Sequence, residues 1–70
     1  MHIQSVIIDK NIFNISGARR IIKSMDLHPI KPVHETKNYF RFRISEPTPN
    51  AKYITKTIKK GIKAVIMEKP

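Results

Sequence analysis

The run Asn38-Tyr39-Phe40-Arg41-Phe42-Arg43-Ile44 limits the fold more than any other stretch of the chain. It alternates with period two, which is the periodicity of a strand with one buried face. Phe40, Phe42 and Ile44 fall on one side, and Tyr39, Arg41 and Arg43 on the other. Three of the five aromatic residues lie here, so this strand has to anchor whatever core the chain builds. Its opposite side then holds a tyrosine and two guanidiniums on a rigid support.

The core has to be thin. Seventy residues make one domain, 1–70, and a chain of this length buries a small share of its surface. There is no cysteine, which excludes disulfides and thiolate metal sites and suits a reducing compartment. No run approaches the roughly 18 apolar residues of a membrane span. Met1 to Ile8 lacks the basic start and cleavage-like site of a signal peptide. The expected setting is cytosolic, nuclear or inside a particle, with no membrane partner.

Fourteen Lys and Arg against five Asp and Glu give a net charge of +9. The acids Asp9, Asp26, Glu35, Glu46 and Glu68 are scattered singly and form no cancelling patch. Such a balance favours polyanions: nucleic acid first, acidic protein surfaces second, anionic membranes third.

Around the central run the remaining elements follow from pattern. His2 to Ile8 is rich in β-branched residues and apolar on both sides at its end, as a well-covered strand would be. Asn14 is a fitting N-cap, with Phe13 placed before it as a hydrophobic staple toward Ala18. Ile15, Ala18, Ile22 and Met25 then recur as one helical stripe ending near Asp26, with Arg19, Arg20 and Lys23 off the stripe. Leu27 to Pro32 reads as an extended connection or an edge, and Val33-His34-Glu35 as the start of a short strand. Thr36-Lys37-Asn38 is a turn. Glu46 to Asn50, with two prolines, is an exposed, mobile loop. Lys52 to Ile58 alternates without a wholly apolar face and fits an edge strand or an extended arm. Gly61 turns the chain into a last strand, Ile62 to Met67, before the tail Glu68-Lys69-Pro70. The expected fold is α+β in the order β-α-β-β-β-β, with one helix packed on a small, mainly antiparallel sheet.

Three basic surfaces result. Tyr39, Arg41 and Arg43 combine guanidinium forks suited to phosphate with a ring able to stack on an unpaired base. The competing explanation pairs both arginines with Glu35 or Glu46 across strands. Arg19, Arg20 and Lys23 form a helix face that either grips phosphates or is merely solvated. Lys56, Lys59, Lys60 and Lys63 cluster around the last turn, where flexible ammonium groups neutralise charge more than they specify sequence. His2, His28 and His34 are dispersed and offer no metal-ligand spacing. No nucleophile triad, paired carboxylates or Gly-rich phosphate loop is present. The reading is therefore a non-enzyme without cofactor or metal. It binds nucleic acid without sequence preference. The alternative is a structural or protein-interaction module that docks on a partner or on a second copy.

Several segments together resemble a known domain. They are Ser5-Val6-Ile7-Ile8 followed by Lys10, Ala18-Arg19 in a helix, Asn38 to Arg43, Lys56-Thr57, and Gly61-Ile62-Lys63-Ala64-Val65. The chain resembles, over most of its length, a small uncharacterised domain of tailed phages and large eukaryotic DNA viruses. The pattern differs at Gly17, Ile21-Ile22 and Ile44. The resemblance implies a viral origin and a virion or assembly setting, with a host cytoplasmic, nuclear or packaged location. It implies no established activity.

Overall fold

The computed structural model describes residues 2–68. In chain order it contains β1 (His2–Asp9), α1 (Ile15–Ser24), β2 (His34–Glu35), β3 (Tyr39–Arg43), β4 (Lys52–Lys59) and β5 (Ile62–Glu68). This is the expected α+β order. The five strands form one sheet in the order β2-β3-β1-β5-β4, and every neighbouring pair is antiparallel. Lys69 and Pro70 of the expected tail lie outside the described residues, and Glu68 is the last residue of β5.

The helix starts where a side chain satisfies its free amides. Asn14 Oδ1 accepts from Gly17 N–H at 2.8 Å, the capping bond that the first turn otherwise lacks. The end is built from backbone alone. Asp26 takes a left-handed φ of 57°. Asp26 N–H donates to Lys23 O (3.0 Å) and Leu27 N–H to Ile22 O (3.2 Å). These two bonds are a Schellman closure, and they turn Leu27 back onto the core beside Ile22. Ala18 and Ile22 are the buried residues of the helix.

Directly opposed residues on antiparallel strands share a face of the sheet. Phe40 faces Ile8, which faces Ile62; Phe42 faces Val6, which faces Ala64. These rows meet α1, and Val6, Ile8, Phe40, Phe42 and Ile62 form one buried cluster with Ala18 and Ile22. The alternation of β3 is thus a burial pattern: Phe40 and Phe42 are inside, while Tyr39, Arg41 and Arg43 are half-buried on the side away from the helix.

Two local devices set the ends. β1 carries a bulge between Ile3 and Ser5, and the extra residue, Gln4, is buried with its side chain engaged. Ser5 Oγ donates to Gln4 Oε1 at 2.6 Å, and Gln4 Nε2 donates to Ser45 O at 3.3 Å. Gly61, at φ 82°, closes the β4–β5 turn, and a Cβ there would lie 2.8 Å from Ile12 Cδ1. The stretch from Leu27 to Pro32 forms no strand, but Ile30 N–H donates to Arg43 O at 3.0 Å, which ties it to the end of β3.

Core truncation should be far more damaging than loss of the cap. Phe42→Ala is expected to cost about 3–5 kcal/mol and Asn14→Ala about 1 kcal/mol. Urea denaturation followed by circular dichroism would show the first unfolded or nearly so in buffer and the second cooperative with a lowered midpoint. Equal midpoints would contradict the assignment of Phe42 to the core.

Candidate nucleic-acid interface

Register assembles the open face from all five strands. His34 opposes Arg41, Arg41 opposes Ile7, Ile7 opposes Lys63, and Lys63 opposes Thr57. These five residues form one row across the whole sheet on the side away from α1. The next row runs Arg43, Ser5, Val65, Thr55, and Tyr39 lies opposite Asp9. Tyr39, Arg41, Arg43 and Lys63 therefore share a face.

That face is only partly open. Ser5 and Gln4 are buried beneath it. The segment after β3 folds over one end, where Pro47 and Tyr53 border a hollow with Arg41 and Arg43. The phenol of Tyr53 fixes the segment, accepting from Thr48 N–H at 2.9 Å and donating to Thr48 O at 3.2 Å. Glu46 to Asn50 is exposed, as expected for a loop.

Two further hollows lie on this face, one of them beside the arginines. One, of about 400 Å³, is lined by Lys31, Pro32, His34, Arg41 and Arg43. The other, of about 270 Å³, has Tyr39 and Lys63 on its walls together with Asp9, Asn11 and Asn38. The first gathers four nitrogen-bearing side chains. The second offers an aromatic ring beside an ammonium and several polar groups.

The two carboxylates expected as cross-strand partners of the arginines are paired with lysines instead. Glu35 Oε2 lies 2.7 Å from Lys10 Nζ, and that ammonium also donates to Thr36 O and sits 5.5 Å from the Phe40 ring centre. Glu46 pairs at 3.9 Å with Lys31. Among the described residues neither Arg41 nor Arg43 forms an ion pair, and Arg41 Nε is buried without a hydrogen-bond partner.

The other two basic surfaces separate from this one. Arg19, Arg20 and Lys23 are exposed on α1, on the opposite side of the sheet from Tyr39, Arg41 and Arg43. Arg19 and Lys23 rim a hollow of about 300 Å³ floored by Ile22, Leu27 and Phe42. The lysines near the last turn do not act as one group. Lys63 lies on the open face, whereas Lys56 opposes Ala64 and Lys59 opposes Ile62, which puts both on the helix side; Lys60 is in the turn itself. Pattern alone missed His34 and Lys31 as neighbours of the arginines. The pairing of Glu35 with Phe40 across the Thr36–Asn38 turn carries the signal for His34, since it sets His34 opposite Arg41.

No family model, curated protein or solved structure matches the chain. Among the described residues no group of three His, Cys, Asp or Glu is placed to hold a metal ion, and no helix is long and apolar enough to cross a membrane.

An unpartnered buried Nε costs stability in the free protein. Arg41→Met keeps the aliphatic stem and removes that group. The expected result is a melting temperature unchanged or raised relative to the parent chain. A clear drop would mean that the guanidinium is structurally satisfied and contributes to the fold.

Proposed function

We propose that this chain is a small basic, non-enzymatic domain that binds nucleic acid without sequence preference through the open face of its sheet. The observation that carries the reading is that, among the described residues, Arg41 and Arg43 form no ion pair beside Tyr39 and Lys63, with Glu35 and Glu46 each paired to a lysine. Guanidinium forks match phosphate oxygens in pairs. A half-buried tyrosine on a strand supplies a stacking surface that any base can use, which gives affinity without sequence choice. The net charge of +9 adds long-range attraction. The likeness of the Ser5–Ile8, Asn38–Arg43 and Gly61–Val65 segments to a small viral domain supports a viral setting for this activity, in the host cytoplasm or nucleus or in the virion. A second reading, a protein-interaction module of the virion, draws on a different observation, the exposed outer strand β4.

The open face carries three permanent cations in reach of one strand: Arg41, Arg43 and Lys63. Three phosphate contacts on a single strand give a log–log salt slope of roughly −2, against −4 to −5 for about five contacts on duplex DNA. Fluorescence anisotropy with labelled single- and double-stranded DNA and RNA, at several salt concentrations, is expected to show the shallower slope on single strands. Arg41→Ala and Arg43→Ala should each weaken binding about tenfold, while Arg20→Ala and Lys59→Ala change it little. Equal losses at all four positions would indicate diffuse attraction. No salt-sensitive binding at micromolar protein would remove the nucleic-acid reading altogether.

A further inference from the structure

The two edges of the sheet are finished in different ways. β2 is two residues long and follows Pro29 and Pro32, a blunted edge of the kind that resists pairing. β4 is the strand at the other edge. It runs eight residues, all of them exposed. Every second amide and carbonyl of β4 points away from β5, which leaves a ladder half open along its length.

The side chains on that edge select what can close it. Lys52 opposes Glu68, Ile54 opposes Ile66, Lys56 opposes Ala64 and Lys59 opposes Ile62. Lys52, Lys56 and Lys59 therefore share the helix side with Ile54. Lys56 and Lys59 have apolar residues across from them and no carboxylate. Ile58 takes up the register shift between Thr57 and Lys59, and Ile54 and Ile58 are 39% and 44% exposed, so α1 does not cover this margin. The other face of β4 carries Tyr53, Thr55 and Thr57, residues that favour β-branched or aromatic cross-strand partners. There is no Asp or Glu from Lys52 to Lys60. A second copy joined edge to edge would bring two lysine rows onto one face, and like charges opposed across strands are destabilising.

We propose that the outer edge of β4 captures an extended acidic peptide segment as a sixth strand. Main-chain hydrogen bonds supply the attachment, as in strand addition generally. Carboxylates of the segment face Lys56 and Lys59, and β-branched residues face Thr55 and Thr57. Lys56 and Lys59 lie on the helix side, away from Arg41 and Arg43, while Thr55 and Thr57 close the outer end of the open face; the segment would belong to a protein partner.

The test uses the full chain, isotopically labelled, and a blocked peptide alternating glutamate and valine. Two further peptides carry backbone N-methyl groups, one on every glutamate and one on every valine. Titration by amide chemical shifts is expected to perturb Lys52 to Lys59 first. Only alternate peptide amides face the edge, so one N-methylated peptide should lose at least tenfold in affinity while the other binds like the parent. Lys56→Glu should weaken binding about fivefold or more, a lysine–valine peptide should not bind, and Arg41→Ala should leave peptide binding unchanged. Equal binding of all three glutamate peptides would reduce the effect to charge attraction and overturn the proposal. No binding at about 1 mM peptide, the weak end of specific association, would overturn it too and leave the lysines as guards of a bare edge. A dimer in sedimentation velocity whose formation protects the β4 amides would overturn it in favour of a second copy. None of these failures touches the nucleic-acid reading, whose test is the loss of nucleic-acid binding at Arg41 and Arg43.

Discussion

The structure depends on one strand being tolerable on both of its faces. β1 is bonded to β3 on one side and β5 on the other. Without it the sheet is two separate hairpins, β2–β3 and β4–β5, and an isolated hairpin is marginal in water. Toward the helix, β1 contributes Val6 and Ile8, both fully buried. Away from the helix it contributes Ser5, also fully buried, whose hydroxyl is satisfied within the strand by Gln4. The bulge at Gln4 makes this possible. It puts two polar side chains together under the loop after β3, where Ile44 N–H and Ser45 N–H both reach Gln4 O. A buried polar pair that is internally satisfied avoids the penalty of stranded polar atoms.

Periodicity carried the faces of the elements and little of their neighbours. The alternation at Tyr39–Arg43, the cap at Asn14 and the stripe through Ala18 and Ile22 were all legible, because each is a local rule with a local cause. The left-handed residue that ends α1 was not, since Asp26 is an uncommon choice where glycine usually stands. Strand order was not legible either. Nothing in the spacing says that β5 lies beside β1, so Lys63 and Arg41 could not be placed in one row, and Lys56 and Lys63 looked like members of one cluster. Seven residues apart in a strand they would already differ in face by parity. Pairing across the sheet then decides which face each takes.

The distribution of charge follows from the same geometry. A thin core has to hold together a chain with a net charge of +9, and self-repulsion works against the compact state. Two of the five acids are used where loops meet the sheet. Glu35 holds Lys10 at the β2 end, and Glu46 sits by Lys31 near the close of β3. Both exposed pairs are weak individually. Their effect on the open face is larger than their strength, because they occupy Glu35 and Glu46, and among the described residues no ion pair compensates Arg41 or Arg43. A polyanion on that face would relieve the repulsion and so stabilise the fold by linkage.

Arg41 shows why the open face differs from the other basic surfaces. Arg19, Arg20 and Lys23 stand in solvent on the far side of the sheet, where a positive charge costs nothing to keep and any cation would do. Arg41 lies in the row between His34 and Ile7, with its Nε buried and unpartnered. A lysine there would keep the positive charge without a mid-chain nitrogen to desolvate. An aliphatic residue would pack against Ile7 with no polar penalty at all. The group that a guanidinium supplies and neither of these does is a planar fork of donors held at a fixed angle. Sequences that break a local rule of polar satisfaction tend to do so where function requires it, and here the broken rule and the unneutralised charge fall on the same side chain.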